Sequence, residues 1–132
     1  MPTTDQHLRQ AEHNKEFLRE IPFPAKYPDW VVTGYFYVAV HLLDAYLSRR
    51  GKHSADHQTR RAFLRELRSR QFSFRDQGVF DHYQDLYFLN REARYDCHFP
   101  SDEAAHHARD EHLPAIEEWV NWQLGGGKVF IP

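Results

Sequence analysis

The run richest in chemistry-bearing side chains is Asn90-Arg91-Glu92-Ala93-Arg94-Tyr95-Asp96-Cys97-His98. On a helix, Arg91, Arg94 and His98 stand at i, i+3 and i+7 and share one stripe for as long as the helix lasts. Guanidinium groups hold phosphate through paired N–H donors, and cations beside an imidazole favour its neutral form, which can take up a proton near neutral pH. The stripe therefore points to phosphodiester cleavage, with Arg91 and Arg94 on the phosphate and His98 as acid or base. The competing role is structural: the arginines pair with acids such as Glu92 and Asp96, and His98 caps the end of the helix.

Ten histidines invite a metal reading, but their spacing does not support one. His53 and His57 form an H-x-x-x-H pair in or near a loop, where helical register is not set. Glu103 and His106 make a Glu-x-x-His, yet a di-iron bundle needs two such pairs and two further glutamates, and the sequence has no second pair. No metal and no cofactor is expected. His106, His107 and His112, mixed with Asp110 and Glu111, read as a solvated helix face. Nucleophilic catalysis has little support either, because there is no Gly-x-Ser-x-Gly elbow and Cys97 has only His98 beside it. Gly125-Gly126-Gly127 follows the last helix and lacks the features of a phosphate loop.

Composition sets the frame that must position these groups. The chain has 132 residues, 41% of them hydrophobic, which suits one compact domain over residues 1–132 and is too little for two. A lone cysteine excludes an internal disulfide and a cysteine zinc cluster. With no charged-then-apolar leader, the expected location is cytoplasmic. The apolar run from Trp30 to Leu47 brushes the length of a membrane span, but it contains His41 and Asp44, so it reads as a buried central helix with no membrane partner. Between Arg49 and Arg75, nine basic residues face only Asp56 and Glu66, a local balance of +7 in a chain of net charge −2. Such a segment attracts phosphates or an acidic partner surface.

Hydrophobic spacing predicts helices throughout. The first covers about residues 5 to 20. Three prolines between Ile21 and Pro28 make a loop, and Asp29 is placed to cap a second helix from Trp30 to Arg50, ended by Gly51. Ser54-Ala55-Asp56 starts a third helix to about Arg70, with Ala62, Phe63 and Leu67 as its apolar stripe and Arg60, Arg61, Arg65 and Arg68 facing outward. Gln71 to Gly78 reads as a connection before a fourth helix from Val79 to about Cys97. Phe99-Pro100 stops it, Ser101 caps a fifth, and Pro114 kinks or restarts that helix. The tail Val129 to Pro132 is apolar enough to dock on the bundle or on a partner. The fold class is all-α.

Taken in order, Tyr35-Phe36-Tyr37-Val38-Ala39-Val40-His41-Leu42-Leu43-Asp44-Ala45-Tyr46-Leu47, Gly51-Lys52-His53, Asp56-His57 and Leu86-Tyr87-Phe88-Leu89-Asn90-Arg91-Glu92-Ala93-Arg94-Tyr95 resemble the HEPN superfamily, the higher-eukaryote and prokaryote nucleotide-binding domains. The likeness covers roughly residues 29 to 122. It implies a four- or five-helix up-and-down bundle, commonly a homodimer. Many members are metal-independent endoribonucleases of toxin–antitoxin and phage-defence systems, with an arginine followed after four to six residues by a histidine at the end of helix four. Arg91 and His98 fit that spacing. Alignment on Ala93 and Tyr95 instead puts Asn90 at the usual arginine and Tyr95 at the usual histidine, which resembles a subgroup for which nucleotide, RNA or partner binding is implied rather than cleavage.

Two expectations follow, an endoribonuclease using Arg91, Arg94 and His98, and a catalytically silent module that binds RNA, nucleotide, or a protein partner such as an antitoxin. A metal-binding histidine bundle is the third. The binding candidates are Asn90, Tyr95, His41, His57, Arg60 and Arg61, with His41 more simply a hydrogen-bonded histidine of the core.

Overall fold

In the computed structural model the described residues are 1–22, 26–54, 56–70 and 74–125, with side chains described outside 67–70 and 74–77. Every regular element among them is helical: α1 (Thr4–Arg19), α2 (Pro28–Arg49), α3 (His57–Arg70), α4 (Phe74–Tyr95), α5 (Asp102–His107), a π turn (Ala108–His112) and α6 (Leu113–Leu124). The apolar tail from Val129 to Pro132 lies outside the described residues.

Helix α2 organises the bundle because it is apolar nearly all round, and 14 of its 22 residues are buried. It packs against α1, α4 and α6, while α3 lies on α4. The helix is long and apolar enough to cross a membrane, but 72% of its most apolar window is covered by its neighbours. Its buried side chains join Leu18 of α1, Leu64 of α3, Val79, Phe80, Tyr83 and Leu86 of α4, and Ile116, Trp119 and Val120 of α6 in one cluster. The C-terminus of α2 follows the pattern read from Gly51, which adopts φ +74°. The N–H of Lys52 then reaches the Leu47 carbonyl at 2.8 Å and that of Gly51 the Ser48 carbonyl at 3.0 Å.

Four expectations need correction. Helix α2 begins at Pro28 with Tyr27 at the cap position, so Asp29 is not the cap but an acid of the first turn. A proline needs no N–H there, and Asp29 still complements the positive end of the dipole. Helix α4 begins at Phe74 rather than Val79, because Gly78 is carried inside the helix at a cost of about 1 kcal/mol. Its other end is Tyr95, so Cys97 and His98 are not helical. In α3, Ala62 is exposed and Leu64 is fully buried, and Arg60, only 5% exposed, points inward. The side chain of Leu67, the third member of the expected stripe, lies outside the described set.

Ser101 caps α5 as read, its Oγ accepting from the Ala104 N–H at 3.1 Å. Pro114 acts one turn upstream of itself. It has no N–H to donate and its ring crowds the preceding turn, so the ladder widens and the Leu113 N–H bonds to the Ala108 carbonyl.

Candidate functional site

The site grows from one charge in an otherwise apolar helix. Asp44 on α2 is 9% exposed, and a carboxylate buried to that degree requires a cation and hydrogen bonds. Arg60 supplies both, with Nε 2.9 Å from Oδ1 and Nη2 3.0 Å from Oδ2. Ser54 adds a bond from its Oγ to Oδ1 at 2.7 Å, so the residue expected to start α3 instead serves Asp44. Asp56 starts the helix, accepting from the Thr59 N–H at 2.8 Å.

The remaining nitrogen of Arg60 faces outward along α3 and α4. Nη1 lies 2.9 Å from His57 Nδ1 and 3.3 Å from the Tyr83 hydroxyl. A guanidinium only donates, so His57 Nδ1 accepts and the proton of the neutral ring sits on Nε2. Burial, with the positive charges of Arg60 and Arg94, holds the His57 pKa below its ordinary value and keeps the ring neutral at pH 7. The imidazole stands among Phe36, Tyr37 and Tyr87, with ring centroids at 5.2, 6.5 and 5.6 Å.

Three arginines rim this aromatic nest. Arg61 spreads over the Tyr87 ring at 4.9 Å and donates from Nε to the Gln84 Oε1 at 2.8 Å. Arg94 donates from Nη1 to the Tyr37 hydroxyl at 2.7 Å and lies over the Tyr95 ring at 5.2 Å. Arg91 reaches the Tyr87 hydroxyl at a longer 3.4 Å. All three bond to neutral acceptors, and no carboxylate of the described residues pairs with them. Their charge is held in position and, among the described residues, left uncompensated.

Comparisons with protein-family models, curated proteins and solved structures find no match to this chain.

The residues singled out from the sequence are distributed unevenly over this geometry. Arg61, Arg91, Arg94, His57 and Tyr95 come together at the α3–α4 face. Arg60 belongs to the support beneath it and is too buried to meet a ligand. Asn90 faces the core on the Tyr83 and Leu86 side of α4, 2% exposed, and its Oδ1 has no hydrogen-bond partner among the described residues. His98 lies beyond the helix end. Cys97 takes φ +56°, which turns the chain so that the His98 N–H meets the Glu92 carbonyl at 3.2 Å, and the exposed ring stands 3.8 Å from the Glu92 carboxylate. The single stripe of Arg91, Arg94 and His98 is therefore broken after Arg94. His41 sits elsewhere, its Nδ1 3.1 Å from that of His7 on α1.

From sequence, Tyr37 reads most simply as core or dimer interface, with base stacking unsupported by its spacing, and Tyr87 reads as part of an apolar helix stripe. Asp44 carried a signal, a lone carboxylate inside an apolar run, but the sequence does not say which cation sixteen residues later answers it. Of the basic stretch, Arg49 donates to the Leu124 carbonyl at 3.3 Å, Lys52 lies over Phe63 at 4.9 Å and Arg65 over Phe80 at 5.9 Å. The side chains of Arg68, Arg70 and Arg75 are outside the described set. Among the described residues no three His, Cys, Asp or Glu side chains converge as metal ligands. His106 Nδ1 bonds the Asp102 carbonyl at 2.7 Å, and Glu103 stands by His107 at 3.6 Å rather than by His106.

Proposed function

We propose that the chain is a helical module that binds RNA or a nucleotide on the face formed by α3 and the C-terminal half of α4. The observation that carries this reading is the set of three guanidinium groups, Arg61, Arg91 and Arg94, each bonded to a neutral acceptor and none paired with a carboxylate of the described residues. A phosphate supplies the missing negative charge. Tyr37, Tyr87 and Tyr95 interleave with these cations, and rings beside a basic track are what single-stranded nucleic acid uses for stacking. The reading keeps the sequence resemblance to HEPN domains in its binding form, as a homodimer or as a subunit beside a protein partner.

A second reading, a HEPN-type metal-independent endoribonuclease, has one observation in its favour. A neutral imidazole, His57, stands within the electrostatic reach of Arg94 and has a protonated Nε2 able to donate to a phosphate or leaving oxygen. His98, the residue favoured by spacing, faces Glu92 instead. The experiment that separates the readings uses a fluorescent single-stranded RNA in EDTA. Binding that falls as salt rises and is lost in the Arg61→Ala, Arg94→Ala double variant, with the RNA left intact, supports the module. Cleavage abolished by His57→Ala supports the enzyme, and cleavage abolished by His98→Ala alone returns the acid–base role to the helix end. Neither binding nor cleavage overturns both.

A further inference from the structure

Helix α1 lies on α2 as a polar strap: of its 16 residues, His7, Ala11 and Leu18 are buried. Its contacts follow one face of α2. Leu18 rests against Gly34, so closely that a Cβ there would stand 2.6 Å from Cδ2. His7 meets His41, the Thr4 hydroxyl donates to the Ala45 carbonyl at 3.1 Å, and the Ser48 hydroxyl donates to the Pro2 carbonyl at 3.4 Å. Gly34, His41, Ala45 and Ser48 are spaced as one helix stripe.

The two imidazoles are the titratable part of this seam. His7 is 9% exposed, and its Nδ1 is 3.1 Å from that of His41. In the neutral pair one Nδ1–H donates and the other Nδ1 accepts. A first proton is tolerated, because an imidazolium still donates to a neutral ring. A second makes both Nδ1 atoms donors and sets two positive charges against each other. The charges that face the pair are Asp44 on α2, Arg60 on α3 and His53 in the turn after α2. Asp44 favours the protonated rings, but its carboxylate is already gripped by Arg60 and Ser54. Burial prevails and holds both imidazoles below their ordinary pKa.

We propose that the His7–His41 contact is a proton-operated latch, which holds α1 on α2 near neutral pH and lets it lift in acid to uncover the Gly34–Ser48 stripe. The moving part is α1 rather than the whole bundle, because the core around Phe36, Leu43, Tyr83 and Trp119 joins α2, α4 and α6, and α1 adds to it only Ala11 and Leu18. Elements with few buried contacts open first. Undocked rings take up protons near pH 6.5, and the docked pair takes up its second proton only at lower pH. Docking is therefore unchanged above that interval and weakens as pH falls through it. The latch is independent of the α3–α4 face.

Native-state amide exchange of the full chain, corrected for the intrinsic effect of pH, reads the opening of α1. From pH 6 to pH 5 the protection of Leu8 to Leu18 is expected to fall about tenfold, one proton's worth per unit, with α1 exchanging well before Leu43 and Leu86. His7→Gln leaves a neutral partner for a charged His41 and should remove most of that fall. His7→Asp puts a carboxylate opposite His41, which raises the docked pKa of the ring, so between pH 8 and pH 6 the protection of α1 should rise as pH drops. If His7→Asp fails to dock, His7→Gln alone decides. The proposal is overturned by α1 protection that does not change with pH in wild type, by a fall that persists undiminished in His7→Gln, or by α1 and the core exchanging together in a single opening.

Discussion

Arg60 grips Asp44 with two parallel bonds, Nε to Oδ1 and Nη2 to Oδ2, at 2.9 and 3.0 Å, with the side chains only 6% and 11% exposed. The pair ties α3 to α2, although α3 packs mainly on α4. It also sets His57, because the third guanidinium nitrogen fixes the imidazole tautomer that faces Tyr37 and Tyr87. One ion pair thus joins the core to the candidate binding face.

Removing one partner leaves the other charge buried alone. Asp44→Ala should destabilise the fold by about 3–5 kcal/mol, a large part of the total stability of a domain of this size. Replacing both partners, as Asp44→Leu with Arg60→Met, should cost much less than the sum of the single changes. Urea unfolding followed by circular dichroism checks both; a double variant as unstable as that sum would refute the pair as the origin.

Acid should weaken the fold from the histidine side. His7, His41, His57 and His112 are all held below the ordinary imidazole pKa, chiefly by burial, and His41 also by the neighbouring His7. In the unfolded chain these rings protonate near pH 6.5, while in the folded chain they resist. The unfolded state therefore binds more protons below about pH 6.5, and stability falls as pH drops from there through the folded-state values. Urea midpoints between pH 8 and pH 5 should be flat at first and then decline. His41→Asn should shallow the decline, since His7 then no longer faces a second imidazole at 3.1 Å.

Much of this architecture is written locally. The apolar circumference of α2, the glycine after it and the serine before α5 each act within a few residues, and each is legible as pattern. An arginine on a basic helix ordinarily faces outward, and Arg60 does not. Its burial depends on Asp44, which only the fold brings to it. The candidate site divides the same way. Arg91 and Arg94, one turn apart, reach the same face as their spacing implies, but the hydroxyls that orient them belong to Tyr87 on their own helix and Tyr37 on another. His98 shares their stripe only if the helix continues, and the chain leaves the helix after Tyr95 with Cys97 in the left-handed region.

That residue carries its own prediction. A side chain at φ +56° brings its Cβ toward the following carbonyl, a strain of about 1–2 kcal/mol that glycine does not have. Cys97 is exposed and makes no disulfide, so its side chain offers little in compensation. Cys97→Gly should raise stability by about 1 kcal/mol after glycine's greater freedom in the unfolded chain is subtracted, and Cys97→Val should lower it, since branching at Cβ sharpens the clash. Thermal unfolding of the two variants beside wild type decides the sign.

Tyr37 and Arg94 allow position and charge to be told apart at the binding face. The hydroxyl at 2.7 Å fixes the guanidinium without neutralising it. Arg94→Ala removes a phosphate contact and, on single-stranded RNA, should reduce the salt dependence of log K by about 0.7 for that contact, besides weakening binding. Tyr37→Phe keeps the ring and leaves the charge of Arg94 in place, so affinity should fall only a few-fold while the salt slope stays as in wild type. Fluorescence anisotropy across a series of salt concentrations measures both quantities. If Tyr37→Phe flattened the slope as much as Arg94→Ala, the tyrosine would be acting on more than orientation, and a phosphate contact by Arg94 alone would no longer account for the face.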